Sequence, residues 1–191
     1  VEAVSANRET FLKDGTVDMI LATYSITDER KAEVDFAGPY YIAGQDLLVA
    51  ADNTDITGPE SLDGKKLCSV TGSTSAQKVK DEYSEGVQLQ EFDTYSKCVT
   101  AIDGGQLDAM TTDDIILAGY AQQDPGKFKI VGAPFSEENY GVGLPKGSED
   151  RDKINDLIEQ AFADGAWEEA FNDNLGESGY ELPEPPAVDR Y

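Results

Sequence analysis

Apolar positions along the chain fall into short runs separated by stretches of helical periodicity. Val17-Asp-Met-Ile-Leu-Ala22 and Gln45-Asp-Leu-Leu-Val-Ala-Ala51 are apolar enough to predict buried strands. Leu67-Cys-Ser-Val70 follows an Asp63-Gly64 turn, Val87 to Phe92 alternates, and Leu107 to Met110, Lys127 to Val131 and Tyr140 to Leu144 add further strands. Between them, Ser75 to Tyr83 opens on hydroxyl side chains suited to a helix N-cap. Tyr95, Cys98, Val99 and Ile102 recur at i, i+3, i+4 and i+7, one face of a helix, and Asp114 to Tyr120 also reads as helical. The longest stripe, Ile154, Leu157, Ile158, Ala161 and Phe162, lies in Asp152 to Ala163, and a short helix bearing Trp167 and Phe171 follows. This alternation predicts α/β layers around parallel sheets. The proline-rich end, Glu181 to Tyr191, predicts an extended, mobile tail.

Composition narrows the function classes. With 191 residues, 39% of them hydrophobic, the chain can bury the core of one domain or two small ones. Fifteen basic against 38 acidic side chains leave a net charge of −23, which repels nucleic acid phosphates and anionic headgroups, and no basic patch offsets it. No apolar run approaches the ~20 residues of a membrane span. The absence of histidine excludes Ser-His and Cys-His nucleophiles and histidine-based zinc sites within these residues. Cys68 lies on a predicted strand and Cys98 on the sheet-facing side of a predicted helix. They form either a disulfide, worth roughly 3–4 kcal/mol for a loop of this length and implying an oxidising compartment, or two buried thiols.

Three segments and the scarce arginines carry candidate chemistry. In Val70-Thr-Gly-Ser-Thr-Ser-Ala76, a glycine turn before a helix offers amides and hydroxyls to an anion such as a carboxylate, or else a capped turn that holds no ligand. Thr23-Tyr-Ser-Ile-Thr-Asp-Glu-Arg-Lys31 has the same character, with an arginine one turn into its helix. Arginine is scarce, at positions 8, 30, 151 and 190, and its guanidinium is the side chain that grips a carboxylate with two parallel hydrogen bonds. Asp113 ends a predicted strand, where open α/β sheets place ligand groups, and suits an ammonium.

These segments resemble the family 3 extracytoplasmic solute-binding proteins, the amino-acid receptors of ABC importers, over nearly the whole chain. The most specific stretch runs from Gly15 through Thr27-Asp-Glu-Arg-Lys31 to Phe36-Ala-Gly-Pro-Tyr-Tyr41. Gly64-Lys-Lys-Leu67, Gly72-Ser-Thr74, Gly105-Gln-Leu-Asp-Ala109, Tyr140-Gly-Val-Gly143 and Ala163-Asp-Gly-Ala-Trp167 support it. The resemblance implies an α/β, type II periplasmic-binding-protein-like fold, in which two lobes joined by two hinge strands hold the ligand between them. Lobe 1 would comprise residues 1–46 and 141–191, and lobe 2 residues 47–140. By motif, Arg30 would clamp an α-carboxylate, with Ser25 and the Thr74 amide adding hydrogen bonds and Tyr24, Gly72 and Ser73 lining the same site. The Thr23 carbonyl and Asp113 would hold the α-ammonium. Ser5-Ala-Asn-Arg8 is similar to a segment of the glutamate- and aspartate-binding branch, where Ser5 and Arg8 would receive the side-chain carboxylate.

The cysteines and Thr111-Thr-Asp-Asp-Ile-Ile-Leu-Ala-Gly119 are similar to the glutamate-binding lipoproteins of actinobacteria. That implies a Cys68–Cys98 disulfide in lobe 2 and a lipid anchor on the outer face of the cell membrane. The implied function is an extracytoplasmic receptor for glutamate or aspartate that delivers to an ABC permease, with no catalysis, cofactor or metal. The alternatives are a sensory ligand-binding domain, since ionotropic glutamate receptor cores are also similar, and a dehydratase on the same fold with Asp113 and Tyr24 as its candidate acids. The family begins with a strand, a helix and a second strand upstream of the first residue here. Lobe 1 is therefore expected to be incomplete, and this chain alone to bind weakly or to self-associate through exposed sheet edges.

Overall fold

A computed structural model describes residues 1–83, 86–176 and 180–190. The chain divides into two units, the first formed by Val1, Asn7–Ala43 and Glu138–Tyr191, the second by Glu2–Ala6 and Gly44–Glu137. In chain order the first unit contributes α1 (Arg8–Lys13), β1 (Ile20–Ser25), α2 (Asp28–Glu33) and β2 (Asp35–Ala43). The second contributes β3 (Gln45–Ala50), β4 (Lys66–Val70), α3 (Ser75–Glu82), β5 (Gln88–Phe92), α4 (Tyr95–Asp103), β6 (Ala109–Asp113), α5 (Asp114–Gln123) and β7 (Phe128–Ile130). The chain then returns to the first unit as β8 (Glu138–Leu144), α6 (Arg151–Asp164) and α7 (Ala166–Leu175).

The sheet of the first unit has the order β1-β8-β2, and β8 runs antiparallel to both neighbours. The expectation of parallel sheets therefore fails here. Its cause is long-range: β8 arrives from about a hundred residues downstream and inserts between β1 and β2. Phe36 and Ala37, successive on β2, enter different cores, as a period of two requires. Phe36 packs with Leu12, Ile20, Tyr24 and Val34. Ala37 packs with Val142 and Leu144, against which α6 lays Ile154 and Ile158 of its predicted stripe. Asn155 on α6 is wholly buried and accepts a hydrogen bond from the Gly38 amide at 2.8 Å. Gly38 also precedes a cis proline.

Several local expectations need correction. β1 begins three residues later than its apolar run suggested and is not uniformly buried, since Leu21 is 67% exposed. β2 and α1 carried no clear signal, β2 because Gly38-Pro39 interrupts its pattern. β6 begins at Ala109, later than Leu107, and ends on Asp113 as expected. The end of the chain has no regular structure but is tied down: Pro186 is buried, the Asp189 amide donates to the Gly38 carbonyl at 2.8 Å, and Arg190 reaches Asp156 and Glu159 at 2.7 Å each. Its last residue, Tyr191, lies outside the described residues.

The second unit has a mixed sheet, order β5-β4-β6-β3-β7, in which β4 is parallel to β5 and β6, and β3 is antiparallel to β6 and β7. Leu47 and Val49 of β3 face one core with Leu62, Leu67, Val79 and Ala109, and Leu48 faces the other with Met110, Ile102, Leu117 and Phe128. Cys68 on β4 and Cys98 on α4 are bonded as a disulfide with their Cα atoms 5.7 Å apart, which decides between the two readings of the cysteines. The cross-link ties a central strand to its covering helix across 30 residues. Register places Gln45, the first residue of β3, opposite Asp113, the last of β6.

Candidate functional site

In the first unit the candidate residues form one connected group. Thr27 caps α2 by accepting the Arg30 amide, and this start to the helix sets Arg30 one turn in, beside the end of β1. Arg30 Nη1 donates to the Ser25 carbonyl at 2.8 Å, and Arg8 Nη1, from α1, donates to the Thr23 carbonyl at 2.9 Å. Both guanidinium carbons stand over the Tyr24 ring, 4.3 Å from its centroid for Arg8 and 5.2 Å for Arg30. Such cation–π contacts contribute ~0.5–2 kcal/mol each, depending on desolvation. Arg8, Ser25 and Arg30 are buried, and Tyr24 wholly so.

Tyr24 is thus a platform inside the core. Its hydroxyl donates to Glu9 Oε1 at 2.8 Å, and the same oxygen lies 3.4 Å from Arg30 Nε. Burial, together with that hydrogen bond and the Glu9 charge, pushes the phenol well above its ordinary range, so it keeps its proton. The Thr23 carbonyl, assigned by resemblance to an ammonium, accepts from Arg8.

In the second unit, Gly72 turns the chain after β4 with φ +83°, and a Cβ there would sit 2.8 Å from the Ala6 amide nitrogen and Cα. Backbone at Ser5 and Ala6 therefore packs directly on the Gly72 turn. Ser5 groups with this unit and Arg8 with the other, although the two are close in sequence. The Ser73 amide donates to the Val70 carbonyl at 3.1 Å, and the Ser73 hydroxyl donates to Ser75 Oγ at 3.2 Å. Thr74 precedes α3 without capping it by its side chain, and its hydroxyl accepts from Gln45 Nε2 at 3.2 Å.

Asp113 is buried at the junction of β6 and α5. The next residue acts locally on the backbone, where Asp114 Oδ1 accepts the Gly44 amide at 3.3 Å and the Ile115 amide at 2.7 Å. Behind them, Thr111 donates to the Asp46 carbonyl and Thr112 to the Tyr95 hydroxyl, at 3.1 and 2.7 Å, which secures the end of β6.

Two contributors were not foreseen. Glu9, next to Arg8, carries no signal in a chain with 38 acidic side chains. Gln45 was visible as a polar residue opening an apolar strand, but nothing in the sequence showed what its side chain reaches. Among the described residues, no group of three or more carboxylate or cysteine side chains could hold a metal ion, and no helix is long and apolar enough to cross a membrane.

The model of the bacterial extracellular solute-binding proteins, family 3, matches residues 1–177. The chain belongs to this family. Its similarity to the glutamate-binding protein GluB of Corynebacterium efficiens is 51% identity over 190 residues, covering 96% of this chain and 64% of GluB. The chain thus spans somewhat less than two thirds of that relative's length. Among solved structures, an ancestral arginine-binding protein bound to glutamine superposes with a TM-score of 0.85 at 35% identity, covering 92% of this chain and 79% of that one. The GluR0 ligand-binding core from Nostoc punctiforme in complex with L-glutamate gives 0.78 at 29% identity, covering 86% and 76%. The fold of this solute-binding protein is therefore the type II periplasmic-binding-protein fold. The family and the named GluB relative are binding proteins by their descriptions.

Proposed function

We propose that the protein is an extracytoplasmic receptor that binds an acidic amino acid, glutamate first, and delivers it to an ABC permease in the membrane, held at the outer face of the cell by a lipid anchor. The two units act as the two lobes of such a receptor. The observation that carries the reading is the pair of buried guanidinia, Arg8 and Arg30, both set over one Tyr24 ring in the first unit. Two cations suit a ligand with two carboxylates, Arg30 taking the α-carboxylate and Arg8 the side-chain one, with Ser5, Ser25 and the Gly72-Ser73-Thr74 amides adding hydrogen bonds. Asp113 and the Thr23 carbonyl suit the α-ammonium. The names of GluB and of the GluR0 core, both glutamate binders, support the same ligand.

Net charge does not oppose this reading. An opposite charge at ~4 Å contributes on the order of 4 kcal/mol at an effective dielectric of 20, whereas one ~20 Å away contributes ~0.2 kcal/mol in water before salt screens it. Two buried arginines therefore outweigh a distant acidic surface. Isothermal titration against the common amino acids tests the proposal: glutamate should bind tightest, with glutamine at least about tenfold weaker, as loss of a charged contact implies. Preference for an uncharged or basic amino acid would remove the role given to Arg8.

The likeness to the GluR0 core supports a second reading, a sensory ligand-binding domain. Glutamate uptake by vesicles holding the partner permease separates the two, because a sensor stimulates none.

A further inference from the structure

We propose that Gln45 is a positioning residue that holds the Gly72-Ser73-Thr74 turn in register with Asp113, an inference that rests on the receptor reading above. Gln45 is wholly buried at the start of β3, a strand that continues with the buried Asp46, Leu47, Leu48 and Val49. Its backbone is fixed on two sides. It lies opposite Asp113 on β6, its amide donates to the Ser136 hydroxyl at 3.0 Å, and its carbonyl accepts from the Phe135 amide at 2.9 Å. Its side chain donates a hydrogen bond from Nε2 to the Thr74 hydroxyl at 3.2 Å across 29 residues.

The rest of the carboxamide argues that this contact matters. Gln45 Oε1 is buried and has no hydrogen-bond partner among the described residues. A buried acceptor without a donor costs stability, and methionine or leucine would fill the same space without that cost. Exchanging the carboxamide's oxygen and nitrogen does not remove the problem, because Thr74 then donates to the oxygen and the amino group is left without an acceptor. The polar side chain is therefore a net burden to the fold unless its link to Thr74 is useful. Thr74 needs such a link, since its hydroxyl does not cap α3 and the turn before it rests on a glycine with φ +83°. Through Gln45 the turn that offers amides to a carboxylate and the aspartate that offers a charge to an ammonium are registered on one strand. That preorganises two contacts for one ligand and lowers the entropy lost on binding.

Removal of the link should move stability and affinity in opposite directions. For Gln45→Met, the thermal midpoint of the free protein should stay level or rise. Affinity for L-glutamate by isothermal titration should fall about five- to tenfold, the equivalent of one lost hydrogen bond. Hydrogen exchange at the amides of residues 72–75 should quicken at least threefold while β4 and β6 keep their protection. Thr74→Val removes the same contact from the other side and should give the same losses, and adding Gln45→Met to it should change affinity less than twofold. Unchanged affinity and exchange in both single variants would overturn the proposal, as would a lower midpoint with exchange quickened throughout the unit. If the unsubstituted protein binds no amino acid, the receptor reading fails, and exchange at residues 72–75 still decides whether Gln45 positions the turn.

Discussion

The Glu9 carboxylate accepts the Tyr24 hydroxyl at 2.8 Å, and the same oxygen stands 3.4 Å from Arg30 Nε. One short helix therefore contributes both an anion and, in Arg8, a cation to the surroundings of a single aromatic ring. Each guanidinium is steered by a backbone carbonyl, and the ring beneath is steered by Glu9.

Tyr24→Phe keeps the ring and removes only the hydroxyl. One net hydrogen bond is worth ~1 kcal/mol, which in a chain of this size lowers the thermal midpoint by about 2–4 °C. Both guanidinia retain their aromatic partner, so glutamate affinity should drop far less than in either arginine variant. Calorimetry and titration on the same preparation check both halves.

Arg30→Ala and Arg8→Ala should differ in kind. Arg30 is assigned to the α-carboxylate that every amino acid carries, so its loss should weaken glutamate and glutamine alike, by roughly 30-fold or more for a buried charged contact. Arg8 is assigned to the side-chain carboxylate. Its loss should weaken glutamate by about tenfold or more and glutamine by less than about threefold, narrowing the preference between them. Equal losses for both ligands in both variants would refute the division of labour.

Gly72→Ala places a methyl group 2.8 Å from backbone atoms of Ala6 at a positive φ. Neither backbone segment can yield as a flexible side chain would, so the turn or the Ser5-Ala6 segment must move. A cost of about 1–3 kcal/mol is expected in urea unfolding, with weaker glutamate binding in the folded fraction. A substitution at Gly126, where φ is +84° but no atom lies within 4 Å of the added Cβ, should affect stability alone.

Asp35 supplies a pH dependence. Burial opposes its charge, but the Lys146 ammonium at 2.9 Å, the Gly147 amide at 2.8 Å and the Arg151 charge together hold its carboxyl below the ordinary value. A depressed folded pKa stabilises the protein above the unfolded value, ~3.9 for aspartate, and that contribution disappears as pH falls through the folded pKa. Asp35→Asn should therefore lower the midpoint at pH 7 by about 2–4 °C per kcal/mol lost, and the gap to the unsubstituted protein should close below about pH 4. Thermal midpoints measured from pH 7 down to pH 3 give the comparison directly.

Much of the second unit was legible because its elements are local. The stripe Tyr95, Cys98, Val99 and Ile102 became α4, and Thr111-Thr-Asp113 emerged at a strand end because the short run before it, Leu107-Asp-Ala-Met110, is mostly apolar and follows a glycine break. The first unit was harder. β2 hides behind Gly38-Pro39, and β8 takes its place between β1 and β2 through contacts about a hundred residues apart, which no window of sequence contains. Chain-end contacts were equally hidden, since Arg190 finds Asp156 and Glu159 only once α6 exists.

The sequence by itself determined the alternation of elements, the family, the two arginines and the glycine turn, because these depend on residue type at short spacing: a cap at Thr27, a positive φ at Gly72, a guanidinium one turn into a helix. Tertiary structure alone decided that Cys68 and Cys98 are bonded, that Arg8 and Arg30 share the Tyr24 ring, that Glu9 anchors that ring, and that Gln45 reaches Thr74. Most of these are distances between residues 15 to 30 positions apart. Only packing sets such distances, because only burial makes an unpaired hydroxyl, guanidinium or carboxamide costly enough to dictate its partner.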